Sequence, residues 1–159
     1  NKFRIKFIVG RKNMPTISVK KLDERAVLPK YGSAYAAGAD LYAVTDGEVS
    51  FRPGETKMIR TGIAVEIPEG YAGLVYARSG LASKRGLAPA NKVGVIDADY
   101  RGEVFVALYN HSDSVQTIEC GERIAQLVVT PFLKAEFQEA EELSDTVRGA
   151  GGFGSTGRG

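Results

Sequence analysis

The 159-residue chain holds one cysteine, one histidine and no tryptophan. A lone thiol, Cys120, cannot close an internal disulfide, so this is no disulfide scaffold, and Cys120 reads as a small residue before the Gly121 turn. A zinc site needs three or four His, Cys or carboxylate ligands, and neither HExxH nor CxxC occurs. A Ser-His-Asp triad would have to recruit His111, which falls in the turn-forming run Asn110-His111-Ser112-Asp113 and reads as solvated. GxxxxGK[ST] and a strand-led GxGxxG are missing, which removes P-loop and Rossmann chemistry. No run of about 18 apolar residues occurs, so no membrane span is expected.

What remains is an ordinary globular composition, 43% apolar and 25% charged, in a chain long enough for one core. The net charge of +2 divides unevenly. Residues 1–13 (NKFRIKFIVGRKN) carry five bases and no acid, leaving 16 bases against 19 acids, or −3, in the remainder. An acidic body argues against a broad basic face for nucleic acid or membrane. The leader lacks the apolar core of a secretory signal and the serines of a mitochondrial presequence. It is expected to be foreign or an upstream extension, with Met14-Pro15 the natural start and the cytoplasm the expected location. The expected division is therefore a basic leader (1–13), a β domain (14–147) and a flexible tail (148–159).

Short β-branched or alternating segments recur at 17–22, 49–51, 56–61, 63–67, 71–77, 92–96, 103–109, 115–118 and 123–130. Asp46-Gly47, Pro53-Gly54 and Pro68-Glu69-Gly70 punctuate them as turns. Segment 29–40 reads as loop, a single helical turn is expected after Ser79, and the acidic 137–143 stays open between strand end and short helix. About ten such strands predict an all-β sandwich, jelly roll or barrel.

Three stretches could carry chemistry. In NKVGVIDADYRGEV (91–104), two apolar arms flank a polar tip, which reads as a β-hairpin. Gly94 and Gly102 within the arms mark places where another group approaches the backbone, shaped for a flat ligand beside Asp97, Asp99 and Tyr100. The plainer alternative is that aspartates and glycines simply make turns. Next, ARSG (77–80) offers the Arg78 guanidinium, the Ser79 hydroxyl and free N–H groups near Gly80, a set suited to phosphate, or else an ordinary serine cap. The tail RGAGGFGSTG (148–157) can wrap a ligand with Arg148, Ser155 and Thr156, and its isolated Phe153 suits stacking on a flat ring; a disordered tail is the alternative. Together they describe a flat base, a phosphate chain, and a carboxylate, Asp97, available to activate water.

In order along the chain, AGADLYA (37–43), RSGLASKRG (78–86), GVIDADYRGEV (94–104), GERIAQLVV (121–129) and RGAGGFGSTG (148–157) resemble the five sequence motifs of the homotrimeric dUTPases. The likeness runs from about Ile17 to Gly157. It implies a distorted jelly-roll trimer that hydrolyses dUTP to dUMP and pyrophosphate with Mg²⁺, keeping uracil out of DNA and supplying dUMP. By position, Asp97 would be the general base, and Tyr100 would pack under the deoxyribose. Asn91, Gly94 and Val95 would read uracil. Arg78, Ser79, Gly80 and Gln126 would hold the phosphates, and Asp40 would reach the hydrated Mg²⁺. Arg148, Phe153, Gly154, Ser155 and Thr156 would close the site, shared between subunits. Two rivals share the architecture: dCTP deaminases, which lack this tail and the water-activating aspartate, and a nucleotide-sensing trimer without turnover, which would have no need of a base.

Overall fold

The computed structural model describes residues 14–152, so the readings of the leader 1–13 and of Phe153, Gly154, Ser155 and Thr156 fall outside the described residues. Strands dominate. A four-stranded sheet runs β1 (Ser18–Lys21), β5 (Thr56–Glu66), β9 (Glu103–Asn110), β7 (Leu87–Pro89). A five-stranded sheet runs β2 (Lys30–Tyr31), β3 (Ala39–Tyr42), β11 (Arg123–Pro131), β6 (Tyr71–Tyr76), β8 (Gly94–Ile96). β4 (Val49–Phe51) pairs with β10 (Gln116–Ile118), and the one helix among the described residues is α1 (Ser79–Arg85). The strand pairs are antiparallel. No described helix is long and apolar enough to cross a membrane.

Alternation builds the core. On β9, Val104, Val106, Leu108 and Asn110 point inward while their neighbours do not. Val106 and Leu108 join Ile63 and Val65 of β5 and Leu41, Ile124 and Leu127 of the other sheet in one buried cluster. Asn110, fully buried, is satisfied by donating to the carbonyls of Phe51 and Ser114 and accepting from Ser112.

The expected break at Gly62 is instead a bulge inside a single long strand, β5, whose register against β9 slips between Arg60 and Ala64. Gly62 has φ 67°, and a Cβ there would lie 2.8 Å from that of Ala26. Glu103 accepts from the Gly62 N–H at 2.9 Å and from Arg60 Nε at 3.1 Å, so the irregular backbone is satisfied by a neighbouring strand. Arg60 also reaches Asp23, which pairs with Arg25, which pairs with Asp46. The Arg25 side chain, then its backbone N–H, hold the Asp23 carboxyl far below the ordinary carboxylate range.

Stretch 91–104 is not a hairpin. β8 pairs with β6 (Val75↔Gly94, Leu74↔Val95, Gly73↔Ile96), while β9 pairs with β5 and β7. Each arm finds a partner already fixed in its own sheet and buries its own residue, Ile96 or Val104, in the core. The arms therefore splay, and a cleft opens between them. Helix α1 makes two turns rather than one, ending at Gly86 in the left-handed conformation (φ 67°) behind Lys84 and Arg85. Segment 137–143 has no regular structure and is exposed.

Candidate active site

The cleft has a volume of about 290 Å³, near the small end of ligand pockets (about 300–1,000 Å³). Asn91, Gly94, Val95, Asp97 and Tyr100 line one side and Val104, Phe105 and Val106 the other. Five of the expected substrate-side residues thus meet in one place. The loop before β8 is tight: Lys92, alone among the described non-glycine residues, takes positive φ (66°), and the Val93 N–H donates to Asn91 O at 2.7 Å.

The two glycines work differently from the expectation that they bare backbone for a ligand. A Cβ on Gly102 would lie 2.6 Å from Tyr100 Cζ, so its absence lets the tyrosine ring fold back over the strand. The ring is fixed there by its hydroxyl, which donates to Glu103 O at 2.9 Å. At Gly94, a Cβ would sit 3.3 Å from both Asn91 Nδ2 and Val75 Cβ. Both glycines make room for residues of the protein itself, and those residues then shape the cleft. Asp97 is exposed at its rim; the Tyr100 N–H donates to Asp97 O at 3.2 Å, but no described donor reaches its carboxylate.

A second cluster forms by register. Gln126 on β11 lies opposite Asp40 on β3 and opposite Tyr76 on β6, which sets these positions in one row across three strands. Arg78 lies two residues past the end of β6. Its Nε donates to Asp40 Oδ1 at 2.7 Å, and Arg123 Nη1 donates to Asp40 Oδ2 at 3.3 Å. Gln126 Nε2 donates to Ala77 O at 2.8 Å, passing over Gly38, where a Cβ would lie 3.0 Å from Gln126 Cδ. Gln126 therefore fixes the segment leading into Arg78. The serine-cap alternative fails: Arg78 occupies the N-cap position and no side chain caps the helix, so Ser79 and Gly80 stand exposed in its first turn. Unpaired N–H groups there favour an anion. An open cavity of about 480 Å³ beside them is lined by Arg78, Gly80, Lys84, Arg85 and Arg123.

The two clusters line cavities that share no residue. Arg148 joins neither; its Nε donates to Gly151 O at 2.8 Å within the tail. Arg123 was not foreseen, because a charged residue opening an apolar strand carries no local signal and its link to Asp40 exists only through register. Among the described residues, no three His, Cys, Asp or Glu side chains gather as a metal cage.

A dUTPase family profile matches residues 24–157. The deoxyuridine 5'-triphosphate nucleotidohydrolase of Nautilia profundicola is 51% identical over 142 residues, 89% of this chain and 99% of that protein. That of Hydrogenobaculum sp. is 55% identical over 139 residues, 87% of this chain and 96% of that protein. Among solved structures, a dUTPase of Staphylococcus bacteriophage 80alpha with dUpNHpp aligns with a TM-score of 0.83 and 34% identity, covering 91% of this chain and 100% of that one. Motifs, fold and relatives converge: the chain belongs to the dUTPase family.

Proposed function

We infer that this chain hydrolyses dUTP to dUMP and pyrophosphate, with the nucleoside in the cleft between β8 and β9 and the phosphates at the Arg78 cluster. The observation that carries the assignment of roles is the contrast between two aspartates: Asp97 has no donor on its carboxylate among the described residues, whereas Asp40 is bound by two guanidiniums. A carboxylate with no donor on it leaves both oxygens open to accept from water. An Asp97 oxygen takes a proton from water, the water oxygen bonds to the α-phosphorus, and the bond to the bridging oxygen breaks to release pyrophosphate. General-base assistance of this kind contributes about 10² to 10⁴ in rate.

Tyr100, fixed over Gly102, occupies the space beneath the sugar and excludes a 2′-hydroxyl. Asn91, Gly94 and Val95 hold uracil. Arg78, aimed by Asp40, donates to the phosphates with Ser79 and the N–H groups near Gly80, while Gln126 and Arg123 keep that arrangement in place. One carboxylate already accepting from two guanidiniums is no cation cage, so Asp40 would hold a Mg²⁺ ion only through water, most of the ion's ligands coming from the substrate's phosphates. When bound, Mg²⁺ neutralises charge developing on the phosphates. The two clusters line separate cavities, an arrangement that fits sites shared between neighbouring copies in a homotrimer of jelly-roll subunits. The tail residues Arg148, Phe153, Gly154, Ser155 and Thr156 complete the contacts to the substrate.

Pyrophosphate release is to be measured with dUTP and each of the four standard deoxynucleotides, with and without Mg²⁺. Turnover of dUTP alone, dependent on the metal, is expected; ammonia from dCTP would move the chain to the deaminases, and tight dUTP binding without turnover to the sensors. Removal of residues after Val147 should leave a folded protein with little activity.

A further inference from the structure

The turn joining β8 to β9 has cavities on both sides. Asp97 and Tyr100 face the cleft, while Ala98, Asp99 and Arg101 line a second, open cavity of about 480 Å³ beside Glu66 and Glu69. A segment placed this way gains little from packing, so its shape depends on polar contacts. The Arg101 guanidinium makes three of them. Its Nη1 donates to Ala98 O at 2.6 Å and to Tyr100 O at 3.1 Å, and its Nη2 donates to Glu66 Oε1 at 3.2 Å. Glu66 is the last residue of β5, so the turn is fastened to the four-stranded sheet.

We propose that Arg101 is a positioning residue: by clamping the Ala98 and Tyr100 carbonyls to Glu66, it fixes the turn that presents Asp97 to the attacking water. Arg101 matters in this way only if Asp97 is the base, as inferred above. The ion pair with Glu66 is weak by itself, since the two side chains are 53% and 56% exposed. The shape of the group carries the effect. A planar guanidinium can hold three oxygens in one fixed fork, whereas a lysine ammonium on a flexible stem cannot. A reacting group displaced by about 1 Å loses on the order of 100-fold in rate.

The test combines steady-state kinetics with amide hydrogen exchange on the full chain carrying Arg101→Ala, Arg101→Lys, Glu66→Gln or Asp97→Asn. For Arg101→Ala, kcat should fall about 10- to 100-fold with KM for dUTP almost unchanged. Amides of 97–102 should exchange faster while the sheets stay protected. Lysine should restore little, and Glu66→Gln should give a smaller loss of the same kind. Wild-type kcat in Arg101→Ala would overturn the proposal. So would parallel losses in kcat, KM and Tm, the mark of a merely structural role. If Arg101→Ala does not fold, Arg101→Lys decides, and wild-type kcat there has the same meaning. An inactive Asp97→Asn beside a fully active Arg101→Ala defeats the Arg101 role alone; an active Asp97→Asn defeats the assignment of the base.

Discussion

Asp40 and Asp97 are carboxylates in the same candidate site with opposite surroundings. The Asp40 side chain, only 14% exposed, lies between Arg78 and Arg123 on a strand hydrogen-bonded on both sides, to β2 and β11. Asp97 stands on an exposed turn between two sheets, with a cavity on either side of that turn. Surroundings of the first kind fix a guanidinium for an anion; surroundings of the second leave the carboxylate oxygens open to water. The Arg78 cluster is built by strand register and ion pairs, the cleft beside Tyr100 by a splayed loop held together by side chains lying over glycines.

That comparison can be broken at three points. Asp97→Asn carries the largest expected effect, a fall in kcat of about 10² to 10⁴ with dUpNHpp affinity preserved by calorimetry. Lost affinity with normal kcat would assign Asp97 to binding instead. Asp40→Asn removes the charge that aims Arg78, and kcat/KM should drop about 10- to 100-fold, mostly through KM. A loss confined to kcat would mean that Asp40 acts on the reacting atoms. Gly102→Ala drives a methyl into the far end of the exposed Tyr100 ring, which must swing aside at little cost in stability, and it should loosen rejection of UTP relative to dUTP. Unchanged selectivity would detach Tyr100 from sugar recognition.

The smallest effect lies outside the site. Asp23 has its carboxyl held down in the folded state by Arg25, so its stabilisation is complete above the ordinary value of about 3.8 and is lost as pH falls toward the folded one. Asp23→Asn should lower Tm at neutral pH and flatten its decline below about pH 4, with kcat untouched. A decline as steep as in the parent chain would show that other carboxylates govern acid unfolding.

Most of the strands and the turn glycines were legible in the sequence because alternation and turn residues are local properties. Strand partners were not. Nothing within NKVGVIDADYRGEV tells β8 to pair with β6 and β9 with β5, and the cleft exists only because they do so. Gly94 and Gly102 did signal close approach, but the approaching groups are Asn91, Val75 and Tyr100. Strands β2, β3 and β7 escaped notice because two to four residues carry too little periodicity. The alignment of Asp40, Gln126 and Tyr76 depends on register between strands more than 80 residues apart in sequence for Asp40 and Gln126, which no local pattern encodes.

The most direct measurement is a crystal structure of the assembled protein with dUpNHpp and Mg²⁺. The uracil should lie between β8 and β9 against Tyr100, with an Asp97 oxygen about 2.6–3.2 Å from a water in line with the α-phosphorus. A base bound outside that cleft, or a carboxylate turned away from the α-phosphorus, would contradict the account.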